Sequence, residues 1–309
     1  MSDYDIIVIG GGIAGMSAAL TAARAGRRTA ILTGGVPGGE LLNIERVDGL
    51  PGHEGGIAGY DLCPITQELA DAAGAEFILE HAAALAPDGD GWRVTGEGGD
   101  YTARAVILAM GAHVARLGVP GEEEFTGKGV SHCATCDGPL LRGKVAVVAG
   151  GGDSGMQEAL TLAQHVARVV LVERSAALTG QASYIAEVEA QPKIEVLTGH
   201  EVVAVEGDDK VAGVRLRDVT SGAEHTVEAQ GLFSFVGLTP NVGLAEGVVD
   251  LAADGRVAVD AALRTSARGM FAAGNVRTGN GWRAASAMGD GATAAHAASA
   301  YCADGQWPE

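Results

Sequence analysis

One short glycine pattern occurs twice in this chain. Gly10-Gly11-Gly12-Ile13-Ala14-Gly15 recurs as Gly150-Gly151-Gly152-Asp153-Ser154-Gly155. Each copy follows an apolar run with the character of a strand, over 4–9 and 144–149. Each precedes an alanine-rich run with the character of a helix, over about 16–25 and 156–167. A further apolar strand follows, over 29–32 and 168–172. This is G-x-G-x-x-G in the context that binds a dinucleotide. The first glycine makes a tight turn, the second lets backbone approach a pyrophosphate, and the third lets helix and strand pack closely. The anion then sits on the helix N-terminus, where free amides and the dipole favour negative charge. Glu173 stands 23 residues after Gly150, and Thr33 stands 23 residues after Gly10. Equal spacing marks two related units, Gly10, Gly12 and Gly15 in one and Gly150, Gly152 and Gly155 in the other. The acid that ends such a second strand holds a ribose hydroxyl. Glu173 has that place and would repel a 2′-phosphate, which favours NADH over NADPH. In the first copy, with Thr33 there, the ribose has to be held by other groups.

With 309 residues the chain has length for about two domains at roughly 150 each. Forty-seven per cent hydrophobic residues supply a large core. The net charge of −18 argues against a nucleic-acid partner, since phosphate neutralisation needs basic surface. It is read as a contribution to solubility. The acidic start, Met1-Ser2-Asp3-Tyr4-Asp5, is unlike a basic signal peptide, and no apolar run approaches the length of a membrane helix. The four cysteines are too few for a secreted disulfide scaffold, so the expected compartment is the cytoplasm.

Two of these cysteines lie between the glycine units, in Ser131-His132-Cys133-Ala134-Thr135-Cys136-Asp137-Gly138-Pro139. A zinc site needs about four ligands, and here a single C-x-x-C stands apart from Cys63 and Cys302. A structural disulfide is unexpected in a cytosolic chain. A redox dithiol needs only two cysteines two residues apart with one thiolate favoured. Asp137 beside them is a candidate proton donor or acceptor, or a turn residue before Gly138, and the two roles are compatible. His132 either depresses a thiolate pKa or faces solvent. Cys63 is expected to be a small buried hydrophobe. Cys302 is allowed to be exposed and is given no role. Arg277 is assigned nothing.

The string Cys133-Ala134-Thr135-Cys136-Asp137-Gly138 resembles the active-site motif of bacterial low-molecular-weight thioredoxin reductases, and the likeness covers nearly the whole chain. Gly38-Gly39-Glu40-Leu41 resembles that family's Gly-Gly-Gln-Leu, and Val47-Asp48-Gly49-Leu50-Pro51-Gly52 its Val-Glu-Asn-Trp-Pro-Gly. Gly237-Leu238-Thr239-Pro240-Asn241 matches a late signature. Phe271-Ala272-Ala273-Gly274-Asn275-Val276, with Arg283 and Gly291 beyond it, resembles the C-terminal flavin-binding stretch.

The resemblance implies an α/β fold of two Rossmann-like three-layer domains. An FAD domain of residues 1–115 and 244–309 is interrupted by a pyridine-nucleotide domain, 116–243, that carries the cysteines and rotates in the family. It implies FAD held by Gly10, Gly12, Gly15, Thr33, Gly39, Glu40, Leu41, Gly274, Asn275, Arg283 and Ala284, and a nicotinamide nucleotide at Gly150, Gly152, Gly155, Glu173 and Arg174, where Glu173 favours NADH. Cys136 is the implied flavin-proximal sulfur, Cys133 the interchange thiol and Asp137 the acid–base group. The implied substrate is a thioredoxin-like disulfide, and the implied assembly a homodimer; Trp282, next to Arg283, is then a candidate cover for the flavin, a dimer contact, or ordinary packing.

Departures from the family keep other donors open. NADPH users carry His-Arg-Arg and a later arginine after the second strand; here only Arg174 remains, in Glu173-Arg174-Ser175-Ala176-Ala177-Leu178-Thr179. In this the chain resembles the flavoprotein subunit of alkyl hydroperoxide reductase, which uses NADH. Asn275 replaces an aspartate, Glu40 a glutamine, and Ala284 the glutamine after Arg283. The alternatives are a ferredoxin-dependent reductase and an oxygen-using dithiol oxidase.

Overall fold

The computed structural model describes residues 2–307. The chain divides into two compact units, one of Met1–His113 with Pro240–Glu309 and one of Val114–Thr239.

In the first unit β1 (Tyr4–Ile9) leads through the glycine loop into α1 (Ile13–Arg24), and β2 (Thr29–Leu32) follows. Helix α2 (Gly59–Ala72) precedes β3 (Glu76–Ile78), β4 (Ala84–Asp88), β5 (Gly91–Thr95), β6 (Asp100–Leu108) and β7 (Ala112–Val114). The sheet runs β3-β2-β1-β6-β5-β4, parallel through β6 and antiparallel beyond it. Residues alternate across a strand, so β1 splits its apolar run. Ile6 and Val8 face α1, while Ile7 and Ile9 face the layer containing Trp92 and Val94.

The second unit repeats this plan. It contains β8 (Val130–Ser131), α3 (Ala134–Asp137), β9 (Val145–Ala149), α4 (Asp153–Ala163), β10 (Arg168–Glu173), α5 (Ala182–Ala190) and β11 (Ile194–Thr198). Then come β12 (His200–Gly207), β13 (Val211–Asp218), β14 (Glu224–Glu228), β15 (Gly231–Ser234) and β16 (Leu238–Pro240). A parallel sheet, β11-β10-β9-β15-β8, has helices on one face and the antiparallel β12-β13-β14 sheet on the other. Ala146 and Val148 look to the helices; Val147 and Ala149 look to the second sheet.

The chain then returns to the first unit with β17 (Met270–Ala272), parallel to β6, and α6 (Ala284–Asp304), which packs beside α1. Strands β7 and β16 pair where the chain crosses between units. The division expected from sequence, at 115/116 and 243/244, falls past these strands. Asn241 clips the returning chain to the first unit: its amide nitrogen donates to the Met110 carbonyl at 2.8 Å and its backbone N–H to Gly111 at 3.0 Å.

The helices begin earlier than their composition suggests. Both start just past the second glycine of the motif, so Gly15 and Gly155 lie within the first turn. Helix α2 carries Pro64 in its second turn, and the Ala58 carbonyl accepts from the Asp61 and Leu62 N–H groups at its start. Among the described residues no helix is long and apolar enough to cross a membrane.

Candidate active site

The two glycine loops have nearly the same backbone. Gly10 and Gly150 have φ of +116° and +110°, a region that favours glycine. A Cβ on Gly10 would lie 2.3 Å from the Ala109 carbonyl oxygen, and one on Gly150 would lie 2.3 Å from that of Phe235. The third glycines are tighter still: a Cβ on Gly15 would approach the Gly10 oxygen to 1.9 Å, and one on Gly155 the Gly150 oxygen to 1.8 Å. At the second glycines space is open. A Cβ on Gly12 meets nothing within 4 Å, and one on Gly152 meets only Thr179 Oγ1, at 3.9 Å. Neither helix start carries a side-chain cap. Each loop therefore presents free amides beside open space, which suits a diphosphate.

The first unit gathers several expected cofactor residues around its loop. Gly38 donates its N–H to Gly11 at 2.8 Å, and a Cβ on Gly39 would sit 3.3 Å from Gly12 Cα. This places the short 3-10 turn Gly39–Asn43, with Glu40 and Leu41, beside the loop. Gly274 closes in from the other side, a Cβ there lying 2.8 Å from Ala14 Cβ. Next to it, Asn275 Oδ1 is buried without a hydrogen-bond partner. A buried acceptor left bare is costly, and the hydroxyls of a ribityl chain are donors that would satisfy it. The open cradle at Gly12 and the bare acceptor at Asn275 fit FAD. Thr33 packs on Gly11 and donates its hydroxyl to the Gly35 carbonyl at 2.7 Å. Arg283 and Ala284 stand at the start of α6, where Ser286 Oγ donates to the Arg283 carbonyl at 2.8 Å.

In the second unit Glu173 ends β10 and is only 8% exposed. Its Oε2 accepts from the Gly151 N–H at 2.6 Å and its Oε1 from the Ser175 N–H at 2.7 Å. A carboxylate has about four acceptor positions, so capacity remains for ribose hydroxyls. Arg174 turns its Nε to Glu201, 3.4 Å away, and Glu201 also accepts from Arg217 Nε at 2.9 Å.

Cys133 and Cys136 are joined in a disulfide, with Cα atoms 5.3 Å apart. Cys133 caps α3 and its sulfur accepts from the Cys136 N–H at 3.1 Å, which also suits a thiolate at Cys133 after reduction. The Cys133 N–H is held by Ser131 Oγ at 3.1 Å. The Asp137 carboxylate makes no hydrogen bond among the described residues and remains available for proton transfer. His132 contacts the Ser234 carbonyl through Nδ1 at 3.1 Å, which makes that nitrogen the donor. The pair follows β8 and the glycine loop follows β9, with β15 between them in the same parallel sheet. Both therefore lie at the carboxyl edge of the strands, where α/β folds place their chemistry.

The other thiols take no part in this cluster. Cys63 and Cys302 are free and buried, and burial pushes each thiol up to about 11. Exposure of Cys302, which its place near the chain end allows, does not occur: it sits between α6 and β1, its thiol directed to the Asp5 carbonyl at 3.3 Å. Trp282 lies against the Arg256 guanidinium, 3.5 Å from ring centroid to Cζ.

Two acidic residues central to these units escape sequence reasoning. Asp290, 7% exposed, accepts from the Gly274 N–H at 3.0 Å, from Asn280 Nδ2 at 2.7 Å and from Arg277. Arg277 thus has a partner that fixes the Gly274–Asn275 turn. Glu158, 6% exposed, accepts from the Ala134 N–H at 2.8 Å. A single acid inside an otherwise small or apolar helix face is the signal each offered.

Paired dinucleotide loops and a disulfide at a sheet's carboxyl edge define a nucleotide-linked disulfide oxidoreductase. Residues 4–298 match the family model described as pyridine nucleotide-disulphide oxidoreductase. A thioredoxin reductase of Treponema pallidum is 38% identical over 300 residues, covering 97% of each chain. The bifunctional thioredoxin reductase/thioredoxin of Mycobacterium leprae is 41% identical over 303 residues, covering 97% of this chain and 66% of its own. The crystal structure of Lactococcus lactis thioredoxin reductase superposes with a TM-score of 0.95 at 32% identity, covering 98% of this chain and 100% of its own. The chain belongs to the pyridine nucleotide-disulphide oxidoreductase family, as an FAD-dependent disulfide oxidoreductase of the thioredoxin reductase type.

Proposed function

We propose that the protein passes electrons from NADH through FAD to Cys133–Cys136 and on to the disulfide of a thioredoxin-like partner. The observation that carries the choice of donor is the buried Glu173 carboxylate at the end of β10, a ribose acceptor that repels a 2′-phosphate. Arg174, the one cation left in that stretch, leans on Glu201. Relatives named for thioredoxin support the partner class.

The first unit is the FAD-binding domain, with Gly10, Gly12 and Gly15 at the diphosphate. Gly39, Glu40, Leu41, Gly274, Asn275, Arg283 and Ala284 line the rest of the cofactor. The second unit is the pyridine-nucleotide domain, with Gly150, Gly152, Gly155, Glu173 and Arg174 at the nucleotide. FAD, when bound, supplies the two-electron relay between nicotinamide and disulfide. Reduction of the pair yields the Cys133 thiolate, stabilised by the Cys136 N–H, and the Cys136 thiol. Cys133 attacks one partner sulfur, forming a mixed disulfide, and the other partner sulfur leaves as a thiolate that takes up a solvent proton relayed through Asp137. Asp137 then accepts the Cys136 proton, and the Cys136 thiolate attacks Cys133 Sγ, re-forming the Cys133–Cys136 bond, breaking the mixed disulfide and releasing the second partner sulfur as a thiolate.

Anaerobic stopped-flow reduction of the flavoprotein tests the donor. NADH should bleach the flavin at micromolar concentration, and NADPH should need at least about tenfold more. Equal efficiency of the two, or reduction by ferredoxin with neither nucleotide active, would overturn the assignment.

A further inference from the structure

The buried carboxylate of Glu158 belongs to neither glycine loop and carries no part of the electron path above. It projects from α4, the helix that begins at the second glycine loop, and reaches the residue that follows Cys133. Ala134 is fully buried, so its N–H has no water to turn to. A neutral amide or hydroxyl could satisfy that donor. A carboxylate held 6% exposed instead carries a desolvation cost, and so has a consequence beyond the hydrogen bond.

That consequence falls on the neighbouring sulfurs. Full reduction of the disulfide consumes two electrons and two protons and gives two thiols; loss of one proton then gives the thiolate that attacks a partner. A negative charge on a buried carboxylate at the start of the cysteine helix opposes that loss, its field only partly screened because Ala134 and Glu158 are buried although Cys133 is half-buried and Cys136 exposed. Less thiolate means a less stabilised reduced form, and therefore a more reducing pair. We propose that Glu158 is a positioning residue for the redox pair: it anchors the first residue of α3 and, by its charge, keeps Cys133–Cys136 strongly reducing.

Other charged or titratable groups share the neighbourhood. Asp137 lies on α3 itself and His132 just before it. His165 follows α4 and lies against Gly138, where a Cβ would be 3.1 Å from its ring. Asp153 opens α4, and Tyr184 on α5 packs with the same core. Glu158 is distinguished from these by accepting directly from the residue adjoining Cys133. The inference rests on the reading of Cys133–Cys136 as the working dithiol.

Glu158→Gln separates charge from anchoring, since the amide oxygen can still accept from Ala134. The holoprotein is equilibrated anaerobically in dithiothreitol buffers, trapped with an alkylating agent, and the Cys133–Cys136 peptide is quantified by mass spectrometry. The pH dependence of alkylation of the reduced pair is measured in parallel. Cys63 and Cys302, buried with thiols near 11, are followed on separate peptides. In E158Q the dithiol-to-disulfide ratio at a fixed buffer should rise about tenfold, equivalent to about 30 mV for a two-electron couple. The alkylation midpoint should move to lower pH. A folded E158Q with the wild-type ratio and midpoint overturns the proposal, even if its melting temperature falls. If E158Q does not accumulate, Glu158→Ala, which also removes the charge, is assayed in the same buffers: a raised dithiol-to-disulfide ratio and a lower alkylation midpoint support the role, and wild-type values refute it. A wild-type pair that exchanges with no buffer instead refutes the redox reading itself.

Discussion

The two glycine-loop units are the same answer to one backbone problem and different answers to a side-chain one. Positive φ at Gly10 and Gly150, and the closed contacts at Gly15 and Gly155, agree within a few degrees and a tenth of an ångström. The acids differ. The second unit takes its carboxylate from the end of its own second strand, Glu173, in contact with its own loop through Gly151. The first has Thr33 there and takes a buried carboxylate from the far end of the chain, Asp290, which holds the Gly274 turn. The two loops share one backbone; their acids come from different parts of the chain and hold different backbone amides, Gly151 in one unit and Gly274 in the other.

Alanine at the third glycines should break the comparison most severely. No rotamer relieves a Cβ placed 1.9 or 1.8 Å from a carbonyl oxygen, so the strand–helix packing must open. Gly15→Ala should yield protein without flavin, or no soluble protein. Gly155→Ala should retain FAD and its absorbance spectrum but lose reduction by NADH, while dithionite still bleaches it. If both variants lose both properties, the units do not act separately.

Asp290→Ala comes next. It leaves Arg277 without its carboxylate in a buried setting, and breaking such a pair costs about 3–5 kcal/mol. Chemical denaturation should show this loss, with FAD released at lower denaturant than in the wild type. Glu173→Gln is milder for the fold and sharper for ligand choice. A hydrogen bond to a charged group contributes about 1.5–3 kcal/mol, so the preference in kcat/KM for NADH over NADPH should fall at least about tenfold. An unchanged ratio would remove Glu173 from donor selection.

The smallest effect is a pH dependence confined to the first unit, where both free thiols lie. Cys63 and Cys302 ionise near 8.5 in an unfolded chain and near 11 when buried. Their folded values are raised, so their contribution is whole below about pH 8.5 and is lost as pH rises toward 11. Guanidinium midpoints taken from pH 7 to 10 should decline, and the decline should shrink in the Cys63→Ala, Cys302→Ala double variant.

Much of the fold is legible in the chain because it is local. A strand of Ile and Val, three glycines and an alanine-rich helix specify each loop within about 25 residues. The helix starts are less legible: Gly15 and Gly155 read as loop residues but fold as helix, because close packing forbids a side chain there and outweighs helix propensity. Cys133, Cys136 and Asp137 are apparent from their spacing. Glu158 and Asp290 are not, because their partners lie 24 and 16 residues away and neither acid falls in a motif.

The sequence by itself therefore determined the class of chemistry: two dinucleotide loops, a dithiol between them, and an acid, Glu173, at the end of the second unit's second strand. Those are properties of residue type and short spacing, which the chain carries before it folds. Only the tertiary structure decided which buried charges stand behind the working groups. Burial converts an ordinary carboxylate into one that must be hydrogen-bonded and whose field reaches its neighbours. Which acid is buried, and beside what, depends on how distant segments pack.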